Sequence, residues 1–266
     1  MRLQPAPPIC EKPEANLRGW ESVASKWEKV RWPRRPRWAG EFQKAGPLLS
    51  LAKEKDALVL GATPEFRAWL HKSGARVTLY EKSPLSLSAM SAILEGQLRV
   101  RPPRSEIVIP HDWETPVYPR EGYSLIMGDI VTGYMETKER FAGFLAKVHD
   151  MLKDGGVFLL REFVFEPCLC PPDAIANVDL RRWAYILTPG FAVEGKTFYE
   201  EKLAANLRRL GDAAALATCA NPPRTRLMLT YKDFSDMFLE AGFREQVLVA
   251  PESRDGPKPA LWALWK

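Results

Sequence analysis

The segment 57–66 (ALVLGATPEF) constrains the fold of this chain more than any other stretch of its sequence. An apolar run ends at Gly61, where a glycine lets the backbone turn tightly. Residues 63–65 are Thr-Pro-Glu, three residue types typical of the first positions of a helix. A second apolar run, 75–80, then ends at Glu81. A strand, a tight turn, a helix and a second strand in this order predict an α/β fold with a parallel sheet.

Strands and helices continue to alternate along most of the chain. Apolar runs predict strands at 57–60, 76–80, 106–110, 123–127, 157–165, 245–249 and 260–265. Helical spacing of apolar residues predicts helices at about 64–73, 84–95, 138–152 and 231–241. Glycines after the last two helices, at 155–156 and 242, predict where these helices end. We therefore predict a Rossmann-like, doubly wound sheet of seven mostly parallel strands, with helices on both faces and an antiparallel last strand.

Two segments depart from this alternation. Residues 1–50 contain a proline-rich tail and an amphipathic helix at 17–31, which we expect to pack on the core. Residues 51–266 form the main domain, and within it 166–228 are predicted to be a helical insertion over the sheet edge. Several aromatic and cationic residues of this insertion suit either a substrate lid or a packed helical layer: Arg181, Arg182, Trp183, Tyr185, Phe191, Phe198 and Tyr199.

Charge and composition exclude several classes of protein. The formal net charge is +5, and all of the excess lies in residues 1–50, which hold ten Lys or Arg and five Glu. The rest of the chain holds 28 basic and 28 acidic side chains, so binding to nucleic acid is not expected. The basic, aromatic connector 32–38 could still grip single-stranded RNA, or its tryptophans could cover the core. Because the chain has no apolar run of 18 residues and no secretory h-region, we expect a cytoplasmic protein without a membrane span.

Polar residues follow four of the predicted strands at the point where each strand ends. Open parallel sheets bind their ligands beyond the carboxyl ends of the strands. Glu81 can accept hydrogen bonds from both hydroxyls of a ribose, and Asp112 beside Trp113 suits an adenine. Asp129, after Gly128, is expected to point into the same cleft. Plain structural explanations also exist: residues 61–65 could be only a well-capped turn, Glu81 a solvated acid, and Asp112 with Trp113 a polar loop with a packed tryptophan.

The sequence also limits the cofactor. The turn after the first strand lacks the three-glycine pattern that binds a pyrophosphate, which argues against NAD or FAD. A cofactor without phosphates is favoured instead. Cys168 and Cys170 lack partner ligands at a suitable spacing, so no metal is expected.

The motifs LVLGATPE, TLYEKS, HDW, GDI and LKDGGVF resemble those of the class I S-adenosylmethionine-dependent methyltransferases. The resemblance covers residues 56–165 well and 229–266 loosely. Val59 replaces the usual acid and Thr-Pro-Glu replaces further glycines, which indicates a subgroup with a Gly-x-Thr-Pro-Glu motif. The resemblance implies that S-adenosylmethionine contacts Gly61, Ala62, Thr63, Glu65, Glu81, Lys82, Asp112, Trp113, Gly128, Asp129 and Ile130.

These observations predict a methyltransferase that moves a methyl group to an oxygen or nitrogen of a small molecule. His111, at a strand end beside Asp112, is the candidate general base. His71 and His149 are expected on helix surfaces or in packing. Three alternatives remain: a nucleotide-binding oxidoreductase of related fold, a non-catalytic binding or partner protein, and a methyltransferase acting on RNA or protein. The sequence leaves the methyl acceptor and the oligomeric state open.

Overall fold

The order of strands and helices follows the predicted alternation. The computed structural model describes residues 41–52, 56–110, 122–165, 171–176, 178–187, 193–194, 197–217, 225–250 and 259–266. The strands are β1 (Asp56–Leu60), β2 (Arg76–Tyr80), β3 (Ile107–Ile109), β4 (Tyr123–Asp129), β5 (Leu152–Phe163), β6 (Val193–Glu194), β7 (Thr197–Tyr199), β8 (Thr225–Leu227), β9 (Arg244–Val249) and β10 (Pro259–Trp265).

Seven of these strands form one sheet in the order β3-β2-β1-β4-β5-β10-β9. The first five strands pair in parallel. Strand β10 runs antiparallel to both of its neighbours, β5 and β9. This topology confirms the predicted Rossmann-like sheet with an antiparallel last strand. Predicted strand boundaries are correct within two residues, except for the start of β5.

Two short α-helices precede β1, and the other α-helices lie between the strands or in the insertion. They are α1 (Gln43–Ala45), α2 (Leu49–Ala52), α3 (Pro64–Lys72), α4 (Pro84–Gly96), α5 (Lys138–Met151), α6 (Val178–Leu187), α7 (Glu200–Leu210), α8 (Ala213–Leu216) and α9 (Tyr231–Glu240). Ser83 and Thr137 cap α4 and α5 through their hydroxyls. Helix α9 begins with a capping box formed by Thr230 and Asp233.

The two predicted glycine stops have different outcomes. Gly242 has a φ of 90°, and its N–H donates to Leu239 while Phe243 N–H donates to Phe238, so it ends α9 as expected. Helix α5 ends at Met151, close to the predicted end, but the expected glycine C-cap is wrong, because Leu152 occupies the C-cap position. Its glycines lie instead at an irregularity early in β5, where the pairing with β4 shifts register.

The sheet is covered on both faces, and its strand residues alternate between two apolar layers. Leu58 and Leu60 face the layer that contains Phe141, Phe234 and Trp262. The neighbouring Ala57 and Val59 face the layer on the other side, which contains Phe66 and Trp69 of α3. Burial of both faces explains why the parallel strands are almost uninterrupted apolar runs.

The described part of the N-terminal region packs on the α3 layer. The Phe42 ring lies 5.7 Å from that of Phe66 and 5.2 Å from that of Trp69. Ala45 and Leu48 are buried in the same layer. The predicted helix 17–31 and the connector 32–38 lie outside the described residues, as does the tail.

The insertion contains a second sheet that the sequence analysis did not predict. Strands β6, β7 and β8 form a small antiparallel sheet beside α6, α7 and α8. Trp183 stacks on Phe163 of β5 at 4.5 Å, and Tyr185 and Phe198 are buried with it. These aromatic side chains therefore form a packed layer, whereas Phe191 lies outside the described residues.

Candidate functional site

The carboxyl ends of β2, β1 and β4 lie side by side at one edge of the sheet. Leu60 pairs with Tyr80 on one side and with Gly128 on the other. Gly61 and Glu81 follow β1 and β2, and Asp129 is the last residue of β4, so the three are neighbours at that edge. The fourth predicted strand end, with His111, Asp112 and Trp113, lies outside the described residues.

The turn after β1 requires the glycine that the sequence provides. Gly61 has a φ of 87°, a left-handed conformation that glycine adopts without strain, and its N–H donates to Tyr80 O at 2.8 Å. A Cβ added at Gly61 would lie 4.0 Å from Glu81 Oε2, its nearest neighbour. The backbone turn and the Glu81 carboxylate are thus close together.

Helix α3 begins directly after this turn. Thr63 occupies the N-cap position as predicted, with Pro64 next, but the threonine hydroxyl makes no capping hydrogen bond. Ala62 is buried against Met90 and Ile93 of α4. Glu65 is buried in the first turn of α3, where the helix dipole stabilises a negative charge.

The Glu81 carboxylate is held at the start of α4. Glu81 N–H donates to Ile109 O at 3.2 Å, which ties the loop to β3. Its Oε1 accepts a hydrogen bond from Ser83 N at 2.8 Å, and its Oε2 accepts one from Ser86 Oγ at 3.1 Å. Each carboxylate oxygen has two lone pairs and can accept more than one hydrogen bond. The adjacent Lys82 is exposed.

Asp129 belongs to a buried network of charges. Its Oδ1 accepts a hydrogen bond from Arg161 Nη1 at 2.8 Å, while Arg161 Nε donates to Glu41 Oε1 at 2.6 Å. Burial raises the pKa of Asp129 to about 6; Arg161 opposes this shift, and Glu41 and Glu65 add to it. When all three groups are ionised, the trio of Glu41, Asp129 and Arg161 carries one net negative charge. Such a trio suits a ligand that carries positive charge.

A second buried acid fixes the turn after β4. Glu162 Oε2 accepts a hydrogen bond from Thr132 N at 2.8 Å, and its Oε1 accepts one from Phe163 N at 2.9 Å. Burial raises the pKa of Glu162 to about 7. Within this turn Ile130 has a φ of 52°, a left-handed conformation that is unusual for a β-branched residue. Ile130 N–H donates to Arg161 O at 2.8 Å, so the turn is attached to β5.

Gly128 has a packing role that the sequence did not reveal. A Cβ at this position would lie 2.8 Å from Val131 Cγ2 and 3.1 Å from the Phe158 ring. The close packing of the turn against β5 therefore requires glycine at position 128.

Three buried charged residues were not predicted from the sequence, namely Glu41, Arg161 and Glu162. The signal for the last two was present, because Arg-Glu interrupts the apolar run 157–165 in a strand predicted to be buried. Buried charges that are paired inside a strand mark a special site. Glu41 carried no such signal, since its partner lies 120 positions away.

The other two histidines were expected on helix surfaces or in packing. His149 packs edge-on against the Phe243 ring at 5.1 Å, and burial lowers its pKa. The His71 side chain is buried and forms a 2.7 Å hydrogen bond with Glu106. Neither lies among the strand ends described above. In the described ranges, no group of three or more His, Cys, Asp or Glu side chains is arranged to hold a metal ion.

No protein-family model matches this chain, and no curated protein does. A SAM-dependent methyltransferase from Methanosarcina mazei is 12% identical, with a TM-score of 0.52 over 80% of this chain and 92% of that chain. The N-methyltransferase NodS from Bradyrhizobium japonicum, solved with S-adenosyl-L-homocysteine, is 12% identical, with a TM-score of 0.50 over 94% of this chain and 97% of that chain. At such identities the likeness is one of fold.

Another similar solved structure is described as a dehydrogenase. A candidate Zn-dependent alcohol dehydrogenase from Rhodobacter sphaeroides is 15% identical, with a TM-score of 0.60 over 94% of this chain and 98% of that chain. Sheets that bind dinucleotides have the strand order 3-2-1-4-5-6. Here the reversed strand β10 lies between β5 and β9, so the order ends differently.

No helix in the part of the chain described here is long and apolar enough to cross a membrane.

Proposed function

We propose that this chain, which has the fold of the class I S-adenosylmethionine-dependent methyltransferases, binds S-adenosylmethionine and methylates an oxygen or nitrogen of a small molecule. The observation that carries the proposal is the alignment of Gly61, Glu81 and Asp129 at the carboxyl edge of the sheet. Each of these residues lies at the carboxyl end of one of three neighbouring strands, at the edge where open parallel sheets bind ligands.

The residues at this edge fit the chemical groups of S-adenosylmethionine. Glu81 would accept hydrogen bonds from the ribose hydroxyls, because its two oxygens are already oriented by Ser83 and Ser86. The turn of Gly61, Ala62 and Thr63 would lie against the methionine part. Asp129 belongs to a trio with net negative charge, which suits a cofactor that carries a sulfonium and an ammonium group.

The remaining predicted contacts complete the proposed site. Glu65, Lys82, Gly128 and Ile130 flank the three strand ends along the chain. Gly128 and Ile130 would act by shaping the turn after β4, since a side chain at 128 would collide with Val131. For the adenine we propose Asp112 and Trp113, from the segment that follows β3.

Bound S-adenosylmethionine would supply an activated methyl group, so the protein chiefly has to position the acceptor and exclude water. We propose that His111, which follows β3 in the sequence, takes the proton that the methyl acceptor loses. The position of the insertion supports a role for it in substrate choice. Leu227 N–H donates to Met135 O at 2.9 Å, and Trp183 stacks on Phe163. These contacts hold the insertion at the carboxyl ends of β4 and β5. Glu41, which pairs with Arg161, would add to the enclosure.

Two features favour a small-molecule acceptor over RNA. The chain from residue 51 onwards has balanced charge. The nearby trio around Asp129 is negative, which would repel phosphates.

Calorimetric titration with S-adenosylhomocysteine tests the cofactor assignment. We expect binding to the unmodified protein, and a loss of about 1–3 kcal/mol in Glu81→Gln, the scale for a hydrogen bond to a charged group. Glu95→Gln, which changes an exposed acid of α4, is the matched control and should leave the affinity unchanged. Equal affinities in the Glu81 and Glu95 variants would remove Glu81 from the site.

The base is tested separately, because it should affect the reaction more than cofactor binding. His111→Gln should lower kcat by about 10²–10⁴-fold once an acceptor is known, while the affinity for S-adenosylhomocysteine is retained. A kcat equal to that of the unmodified protein would show that the acceptor loses its proton elsewhere.

A further inference from the structure

A second concave site lies at the opposite, amino-terminal edge of the sheet. The loop between α3 and β2 and the loop between α4 and β3 enclose a cleft of about 490 Å³. Since β1, β2 and β3 are parallel, these loops lie at the strand ends away from Gly61 and Glu81. The cleft is therefore separate from the site proposed for the cofactor.

The cleft is basic, although the chain from residue 51 onwards has balanced charge. Half of its lining residues are basic, namely His71, Lys72, Arg76, Arg99 and Arg101, and none is acidic. Arg76 forms an exposed ion pair with Asp56 at 3.1 Å. In the described part of the chain, no acidic side chain pairs with Lys72, Arg99 or Arg101. Unpaired cations that converge on one concavity repel each other and favour an anion between them.

A buried ionic network fixes the wall of the cleft. Arg67 donates two hydrogen bonds to Glu106, at 3.1 and 2.7 Å, and His71 Nε2 lies 2.7 Å from Glu106 Oε1. The side chain of His71 is only 4% exposed. Its Nδ1 is buried and has no hydrogen-bond partner among the described residues. The Glu106 carboxylate therefore fixes the orientation of an imidazole that lines the cleft.

The backbone of the second loop places an arginine in an unfavourable conformation. Arg99 has a φ of 53°, in the left-handed region where glycine or asparagine is more usual. Leu98 N–H donates to Ile93 O at 3.2 Å, and Val100 N–H donates to Leu94 O at 3.0 Å, so the turn is fixed on both sides of Arg99. Strained backbone conformations that neighbouring hydrogen bonds hold in place often occur at binding sites.

We propose that this amino-edge cleft binds a small ligand through a phosphate or pyrophosphate group. Guanidinium groups donate paired, charge-assisted hydrogen bonds to phosphate oxygens, and Arg99 and Arg101 provide two of them. Lys72 beside them supplies a further donor. The volume lies in the range of small-molecule pockets, about 300–1,000 Å³, which favours a compact ligand over an extended nucleic-acid strand.

The test is a calorimetric titration of the full chain with inorganic pyrophosphate, at about 150 mM salt so that nonspecific attraction is screened. The double variant Arg99→Asn/Arg101→Gln removes two exposed charges, and asparagine tolerates the left-handed backbone at position 99. We expect the unmodified chain to bind one pyrophosphate and the double variant to bind it at least tenfold more weakly. Arg209→Gln, an exposed arginine of α7 far along the chain, should bind like the unmodified chain.

A second readout follows His71 directly. The chain has three histidines, so the ring signals in a proton NMR spectrum are few. Addition of pyrophosphate should shift the signal that disappears in His71→Asn and leave that of His149 in place. A uniform response of all three signals would contradict a site at His71.

Several results would overturn the proposal. One is the absence of pyrophosphate binding, and another is equal affinity in the unmodified chain and the double variant. A ten-nucleotide single-stranded RNA that binds more tightly than pyrophosphate, and is lost in the double variant, would assign the cleft to nucleic acid instead. Binding of S-adenosylhomocysteine should be the same in the double variant, so this outcome is independent of the proposed methyltransferase activity.

Discussion

Replacing Glu162 by glutamine should change how the stability of the protein depends on pH. The acid is buried and accepts hydrogen bonds from two backbone N–H groups, and no cation pairs with it among the described residues. Burial raises its pKa from an ordinary 4.5 to about 7. An acid with a raised pKa stabilises the folded state below its unfolded pKa, and this contribution is lost as pH rises through its folded pKa.

The magnitude follows from linkage. Between pH 4.5 and 7 the folded protein holds the Glu162 proton while the unfolded chain releases it. The free energy of unfolding should therefore fall by about 3 kcal/mol over this window, at about 1.4 kcal/mol for each pH unit. Glutamine does not titrate, so Glu162→Gln lacks this term. Its single oxygen leaves one backbone N–H unpaired, which adds a cost that does not vary with pH.

The assay is urea denaturation of both proteins from pH 4.5 to 8 at constant ionic strength. The difference in free energy of unfolding, unmodified protein minus variant, should fall by about 3 kcal/mol as pH rises. Taking the difference removes groups that titrate alike in both proteins, including most of the contribution of Asp129. Glu240→Gln, at the exposed end of α9, should give a nearly constant difference. A constant difference for Glu162→Gln, or one that grows with pH, would refute the reasoning.

Two further substitutions test the packing and charges of the site. Arg161→Met should destabilise the fold by about 3–5 kcal/mol in urea denaturation, because it leaves Asp129 and Glu41 buried without their guanidinium. A loss below about 1 kcal/mol would show that these ion pairs contribute little to stability. Gly128→Ala should cost about 1–3 kcal/mol, since its Cβ would lie 2.8 Å from Val131 Cγ2. Adding Val131→Ala to the Gly128 variant should recover part of that loss, and no recovery would point to strain elsewhere.

Local patterns were sufficient to predict the main sheet. Apolar runs of four to nine residues predicted the parallel strands, and the segments between most of them show the apolar spacing of helices. The last two runs predicted the reversed strand β10. Gly61 and Gly242 were predicted from turn and helix-end chemistry, and both have positive φ. These features depend on residues close in sequence, which is why the sequence reveals them.

Features that depend on distant contacts could not be predicted. Strands β6, β7 and β8 are two or three residues long, too short to show a period of two. The partners of Arg161 are Glu41 and Asp129, which lie far from it in the sequence. The packing requirement at Gly128 likewise arises from Phe158 on the neighbouring strand. The end of the fourth strand near Asp129 was predicted from the sequence, but the buried pairing of Asp129 was not.

The most direct test of the proposed cofactor site is a crystal structure of the protein grown with S-adenosylhomocysteine. We predict electron density for the adenosyl group beyond the carboxyl ends of β1 and β2, with the ribose hydroxyls within hydrogen-bond distance of Glu81. Density in the amino-edge cleft beside Arg99 instead, or a carboxyl edge without ligand at saturating concentration, would contradict the proposed methyltransferase function.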